Sequence, residues 1–205
     1  MLINATRIEA LLLGAVLALS LHASTIHDVD FKNFEYPWDE PAGDMTVWQW
    51  LDTPAETSVR LTDGVAELKD PDDSYQSGEP VPSLRLIRVT YGILGPHGDE
   101  AAAVNLNYSP GGTANRDYLY VYEMKNGPPK LLGRLQSGSR AYGGLVKVAI
   151  QNRALVLDFE DAERRIGDCC SERYIRVTYR LKNGRFVESG PRSQGDLTIQ
   201  KIAPR

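Results

Sequence analysis

Tight antiparallel hairpins constrain this chain more than any other feature. Residues 174–182 (YIRVTYRLK) set Ile175, Val177, Tyr179 and Leu181 against Arg176, Thr178, Arg180 and Lys182, and Asn183-Gly184 follows at once. The alternation has the period of two of a half-buried strand. Asn-Gly is the pair that best tolerates the two left-handed residues of a type I′ turn, so the chain returns through Arg185, Phe186 and Val187. The same device recurs where residues 118–124 (YLYVYEM) run into Lys125-Asn126-Gly127 and return through residues 130–135. Two short copies of Leu/Met-Lys-Asn-Gly behind an aromatic-rich strand suggest a repeated hairpin unit.

Further strands are read in the same way. Residues 146–150 and 154–159 flank Gln151-Asn152-Arg153 as a third hairpin, and residues 59–61 and 65–68 flank a tight turn at Thr62-Asp63-Gly64. Residues 84–91 (LRLIRVTY) and 102–108 (AAVNLNY) add two strands, and residues 197–202 are expected to close an edge. No sustained 3.6-residue pattern competes with this reading. Short helical turns are expected only at Leu145, beside Gly143-Gly144, and across residues 160–165 (EDAERR). The expectation is an all-β domain, an antiparallel hairpin meander forming a sandwich, a barrel or a propeller-like array. Residues 70–82 (DPDDSYQSGEPVP) and 109–116 (SPGGTANR) have loop composition.

The first residues point to export. Arg7 precedes the apolar run at residues 10–21 (ALLLGAVLALSL), which ends in small residues at Ala23 and Ser24, as a secretory signal does. A spanning helix needs about 20 apolar residues, and this run is shorter and followed by His27, Asp28 and Asp30. The expectation is a signal peptide over residues 1–23, then one exported domain over residues 24–205, periplasmic or secreted, with no membrane span after cleavage. Between Ser24 and Glu100 stand 5 Lys/Arg and 16 Asp/Glu, and from Ala101 onward 17 and 10, giving formal charges of -11 and +7. Such polarity can recruit a charged partner. The plainer expectation is that the acidic part folds against the basic part.

Candidate functional residues are few. Cys169 and Cys170, the only cysteines, are adjacent, so a bond between them is a strained local switch or a turn lock and not a fold-spanning staple. Neighbouring Cα atoms lie about 3.8 Å apart, below the usual disulfide range of about 4.4–6.8 Å, so a bond between them is strained and comparatively reducible. A vicinal disulfide fixing the turn between Gly167 and Arg173 is expected, with free thiols or a soft-metal pair as the alternatives. Tyr118, Tyr120 and Tyr122 share one strand face and form a candidate binding surface for a sugar or a protein, although cross-strand aromatic packing of about 0.2–1 kcal/mol per pair would also account for them. Arg176 and Arg180, within the basic row of Arg173, Lys182 and Arg185, suit an acidic envelope polymer or partner protein; pairing with the acidic half is the preferred reading. An acidic exported chain is a poor nucleic-acid binder. His27 and His97 lack a companion nucleophile, and Cys-x-x-Cys or His-Glu-x-x-His spacing is absent, so no catalytic set, cofactor or metal site is assigned.

Residues 26–38 (IHDVDFKNFEYPW), residues 91–124 with their Gly-rich middle, Leu131-Leu132 with Ala141-Tyr142-Gly143-Gly144-Leu145, and the Cys169-Cys170 pair together resemble exported bacterial proteins of the LppP/LprE lipoprotein type. That group has no assigned activity. In it the turn after Tyr91-Gly92 often resembles an Asp-rich, calcium-type loop. Here residues 93–100 (ILGPHGDE) keep only Asp99 and Glu100, too few for the six to eight oxygens calcium takes. The expected function is a non-enzymatic envelope module that binds a protein or polymer. The alternatives are an exported inhibitor or immunity-type protein acting on a wall-active hydrolase, and a hydrolase using carboxylates that the sequence does not single out.

Overall fold

The computed structural model describes residues 25–41, 47–68, 81–112, 115–125, 127–167 and 169–197. The signal-like segment, most of the acidic 70–82 loop and the expected strand beyond Leu197 lie outside the described residues. Two 3-10 turns, Ile26–Asp28 and Phe31–Asn33, lead into β1 (Glu35–Trp38), β2 (Gln49–Trp50), β3 (Thr57–Arg60) and β4 (Val65–Glu67). The long hairpins follow as β5 (Ser83–Leu94), β6 (Asp99–Ser109), β7 (Arg116–Met124) and β8 (Lys130–Ser139). After β9 (Leu145–Gln151) and β10 (Ala154–Glu160), a 3-10 turn at Ala162–Arg164 opens a small ribbon, β11 (Arg165–Ile166) and β12 (Cys170–Ser171). The described chain closes with β13 (Arg173–Lys182), β14 (Arg185–Glu188) and β15 (Ser193–Asp196).

The expected all-β class holds, and the architecture is sandwich-like with no closed barrel. One sheet runs β2-β8-β7-β6-β5-β4, and the other runs β14-β13-β10-β9 with β15 beside β14 on the same edge of β13. Asn183 (φ 51°) and Gly184 (φ 77°) make the two-residue turn, pairing Lys182 with Arg185. Asn152 and Arg153, both at positive φ, close β9 onto β10. Among the described residues no helix is long and apolar enough to cross a membrane.

Two local expectations are corrected. The turn at Asp63-Gly64 forms, but β3 pairs with β1 while β4 pairs with β5, because the Leu61 amide donates to the Phe34 carbonyl and the Gly64 amide to that of Lys32. Leu145 opens a strand instead of a helical turn; the Gly144 amide closes a turn onto the Arg140 carbonyl, and a Cβ on Gly144 would stand 2.5 Å from that same oxygen. An edge strand not expected from the sequence forms at Ser193–Asp196. The 160–165 helical turn is present as the Ala162–Arg164 3-10 turn.

The six-stranded sheet is buried on both faces. One row, Ala102, Val104 and Leu106 with Tyr118, Tyr120 and Tyr122, packs under an N-terminal layer of Ile26, Phe31, Tyr36, Trp38 and Leu61. The alternate row, Ala101, Ala103, Leu119, Val121 and Leu135, packs against Leu155, Leu157, Phe159, Val177 and Tyr179 of the second sheet. The tyrosine row is therefore not an exposed binding face. Tyr120 donates its hydroxyl to the Pro37 carbonyl at 2.8 Å, Tyr118 donates to Gln136 at 3.2 Å, and burial pushes all three phenols above the ordinary tyrosine range. Arg134, 4 % exposed, locks the layer down with two hydrogen bonds to Asp39 Oδ2 at 3.0 Å and one to the Thr53 carbonyl at 2.7 Å.

Candidate functional site

The inter-sheet core stops being apolar at one end. Along β6 the row facing the second sheet reads Ala101, Ala103, Asn105, Asn107, and along β7 it reads Val121, Leu119, Asp117, with Asn107 opposite Asp117 in register. On β5, Arg85 stands opposite Asn107, and a bulge between Leu86 and Arg88 leaves Ile87 exposed beside it. The second sheet contributes Glu160 at the end of β10 and Leu145 at the start of β9, with Arg140 and Gly144 from the turn before it. These side chains, with Asn115 and Cys169, enclose a cleft of about 550 Å³.

Its polar groups are incompletely paired. Asn107 Nδ2 donates to Asp117 Oδ1 at 2.9 Å, and the Asp117 amide donates to Ser137 Oγ at 2.9 Å, which fixes that wall. Of the lining, Glu160 Oε2 and Asn115 Oδ1 are buried without a hydrogen-bond partner; Asn105 Oδ1, on the same row of β6 but outside the lining, is unpartnered too. Burial first, and then the nearby Asp117, push the Glu160 carboxyl up to about 7, with Arg140 opposing the shift. A carboxylic acid that ionises near neutrality can hold or release a proton, and an unpaired buried acceptor calls for a donor.

The Cys169–Cys170 disulfide is formed, with Cα atoms 3.8 Å apart, and stands at the rim of this cleft. Its ribbon is anchored by Ser171 Oγ, which contacts the carbonyls of Asp161 (2.8 Å) and Arg173 (2.9 Å), and by the buried Asp161, which accepts from Arg173 at 2.9 Å. Arg165 lies 4.3 Å over the Tyr142 ring, tying the ribbon to the turn that carries Arg140.

Two other clefts have part of their charge held in ion pairs. One of about 520 Å³ near Trp48 includes Asp161, bound to Arg173, and Arg192, bound to Glu188; one of about 610 Å³ near Trp38 includes Asp39, bound to Arg134.

The residues singled out from sequence are not brought together. Arg176 grips the buried Asp158 with two bonds of 2.7 and 2.8 Å, Arg180 is exposed on the outer row of β13, and the tyrosines lie in the other sheet. The basic row thus finds partners in its own half, Arg173 on Asp161 and Arg176 on Asp158, which corrects the expected pairing with the acidic half; Arg134–Asp39 and Lys125–Asp99 do cross between the halves. His27 stacks on Tyr91 at 4.2 Å, and His97 is exposed in the β5–β6 turn made by Gly95 and Gly98 at positive φ. Sequence reasoning passed over Asn107, Asn115, Asp117, Arg140 and Glu160. One signal was present: the row of Ala101 and Ala103 continues as Asn105 and Asn107 at positions that should be apolar. Comparison with protein-family models, curated proteins and solved structures finds no match.

Proposed function

We propose that this chain is an exported, non-enzymatic envelope module, in keeping with its likeness to LppP/LprE-type proteins, and that a protein or polymer partner enters the cleft at the open end of the sandwich. One observation carries the reading: buried, unpaired acceptors gather where two sheets hold the walls rigidly. An unmade hydrogen bond at such an atom costs about 1–3 kcal/mol, and a bound partner with donors recovers it. Affinity capture from envelope extract tests this. Wild-type chain is expected to retain a component that the Asp117→Asn/Asn115→Ala variant loses, while Arg180→Ala, away from the cleft, still retains it. Equal capture by all three would remove the cleft from the function.

A hydrolase reading has an observation of its own. Glu160, raised to about 7 with Asp117 nearby, sets a carboxyl group that ionises near neutrality beside a second carboxyl group, the residue types that general acid–base chemistry uses. Turnover of an envelope polymer that vanishes in Glu160→Gln would select this reading over the first.

A further inference from the structure

Resting on the binding-module reading, we propose that the cleft between β6, β7 and β10 takes a neutral, polyhydroxylated unit, a sugar residue of an envelope glycan, and not a charged group. Once Glu160 is ionised, formal charge is balanced across the cleft. Asp117 and Glu160 stand on its walls, and Arg85 and Arg140 are exposed at its mouth. A cationic ligand meets the two guanidinium groups on entry, and an anionic one meets two carboxyl groups inside; neither gains the net attraction that a one-signed site would supply.

Hydroxyl groups fit the inventory better. Each both donates and accepts, so one sugar can satisfy unpaired acceptors and also accept from arginine or asparagine. The unpaired acceptors of the lining stand on separate elements, Asn115 just before β7 and Glu160 at the end of β10. Donors on one ammonium nitrogen are concentrated at a point. Hydroxyls around a pyranose ring are spread out, as these acceptors are.

The rim supplies the second half of sugar recognition. Ile87, 41 % exposed, Leu145 and Cys169 of the disulfide border the polar walls, offering apolar surface to the C–H face of a ring. Sugars pair a polar edge with an apolar face. The cleft lining likewise carries both polar groups and apolar side chains.

Titration of the isotope-labelled, oxidised chain followed by amide NMR shifts tests the assignment with three probes: an N-acetylglucosamine tetramer, a galacturonate tetramer and a lysine-containing tetrapeptide. The neutral oligosaccharide is expected to shift amides of β6, β7 and the Arg140–Leu145 turn, and to bind about tenfold more weakly to Asn107→Ala and to Asp117→Asn, with Arg180→Ala unchanged. The unperturbed remainder of each variant's spectrum serves as its folding control. Binding of only the galacturonate or only the peptide at the same amides overturns the ligand class and leaves the module reading standing. No binding of any probe, while wild-type chain still captures an envelope component through the cleft, also overturns the sugar assignment alone. Loss of both binding and capture overturns the sugar assignment and the module reading together.

Discussion

Glu160 sits where the fold opposes its ionisation. Its carboxyl is raised from 4.5 to about 7, so between those values the folded chain holds a proton that the unfolded chain has released. Stability from this group is therefore greatest below about pH 4.5, declines as pH rises toward 7, and levels off above. Glu160→Gln is expected to flatten that decline and to leave the variant more stable than wild type at pH 8, by on the order of 1 kcal/mol once partial access to water is allowed for. Urea denaturation of both proteins at pH 5 and pH 8 measures the difference; a variant less stable at pH 8 would contradict it. The disulfide makes a different prediction. Its loop is minimal, so it removes little entropy from the unfolded chain, and Cys169→Ser/Cys170→Ser should alter global stability by less than about 1 kcal/mol. Because Cys169 borders the cleft, the same variant should bind a cleft ligand more weakly, and an unchanged affinity would leave the pair a turn lock only.

At the scale of elements, legibility followed the range of the interaction. The turns at Asn183-Gly184 and Gln151-Asn152-Arg153 could be read directly because their left-handed residues and flanking alternation are local. The tyrosines of β7 were harder. Alternation shows that Tyr118, Tyr120 and Tyr122 share a face, but only the return of residues 26–38 over that face shows it to be interior. The cleft required more still, since Asp117 and Glu160 stand on different sheets and nothing local to either announces the other. Contact between sheets also sets the tolerance of single positions. A Cβ on Gly92 of β5 would lie 2.7 Å from Ile150 Cβ and Cγ2 of β9, where the two sheets come together. Gly92→Ala should cost about 1–3 kcal/mol by overpacking, and equilibrium denaturation that found it neutral would mean that β9 can retreat from β5. Asp39→Ala, which strands the buried Arg134 guanidinium, should cost about 3 kcal/mol. Restoring an acceptor with Asp39→Asn should recover part of that loss.

The whole molecule is best understood as one sheet between two covers of unequal kind. The second sheet closes one face of β5–β8 with regular strands, whereas the other face is closed by 3-10 turns and the short β1–β3 ribbon. Such an irregular cover supplies few backbone bonds of its own, so its hold rests on side chains: Tyr36 is fully buried, donates its hydroxyl to the Phe31 carbonyl at 2.7 Å, and packs on Tyr120 at 5.1 Å between ring centres. If cover and sheet fold as one unit, removing that anchor destabilises the entire domain; if the cover is a separate unit, only the cover is lost. Tyr36→Ala is expected to lower global stability by about 3–5 kcal/mol, the range for deleting a buried aromatic ring, within a single cooperative transition. Denaturation followed by tyrosine and tryptophan emission and by far-ultraviolet circular dichroism distinguishes the two cases. Coincident curves shifted together would place the cover inside the cooperative unit. An early fluorescence step that left the β signal unchanged would show that the six-stranded sheet stands without it.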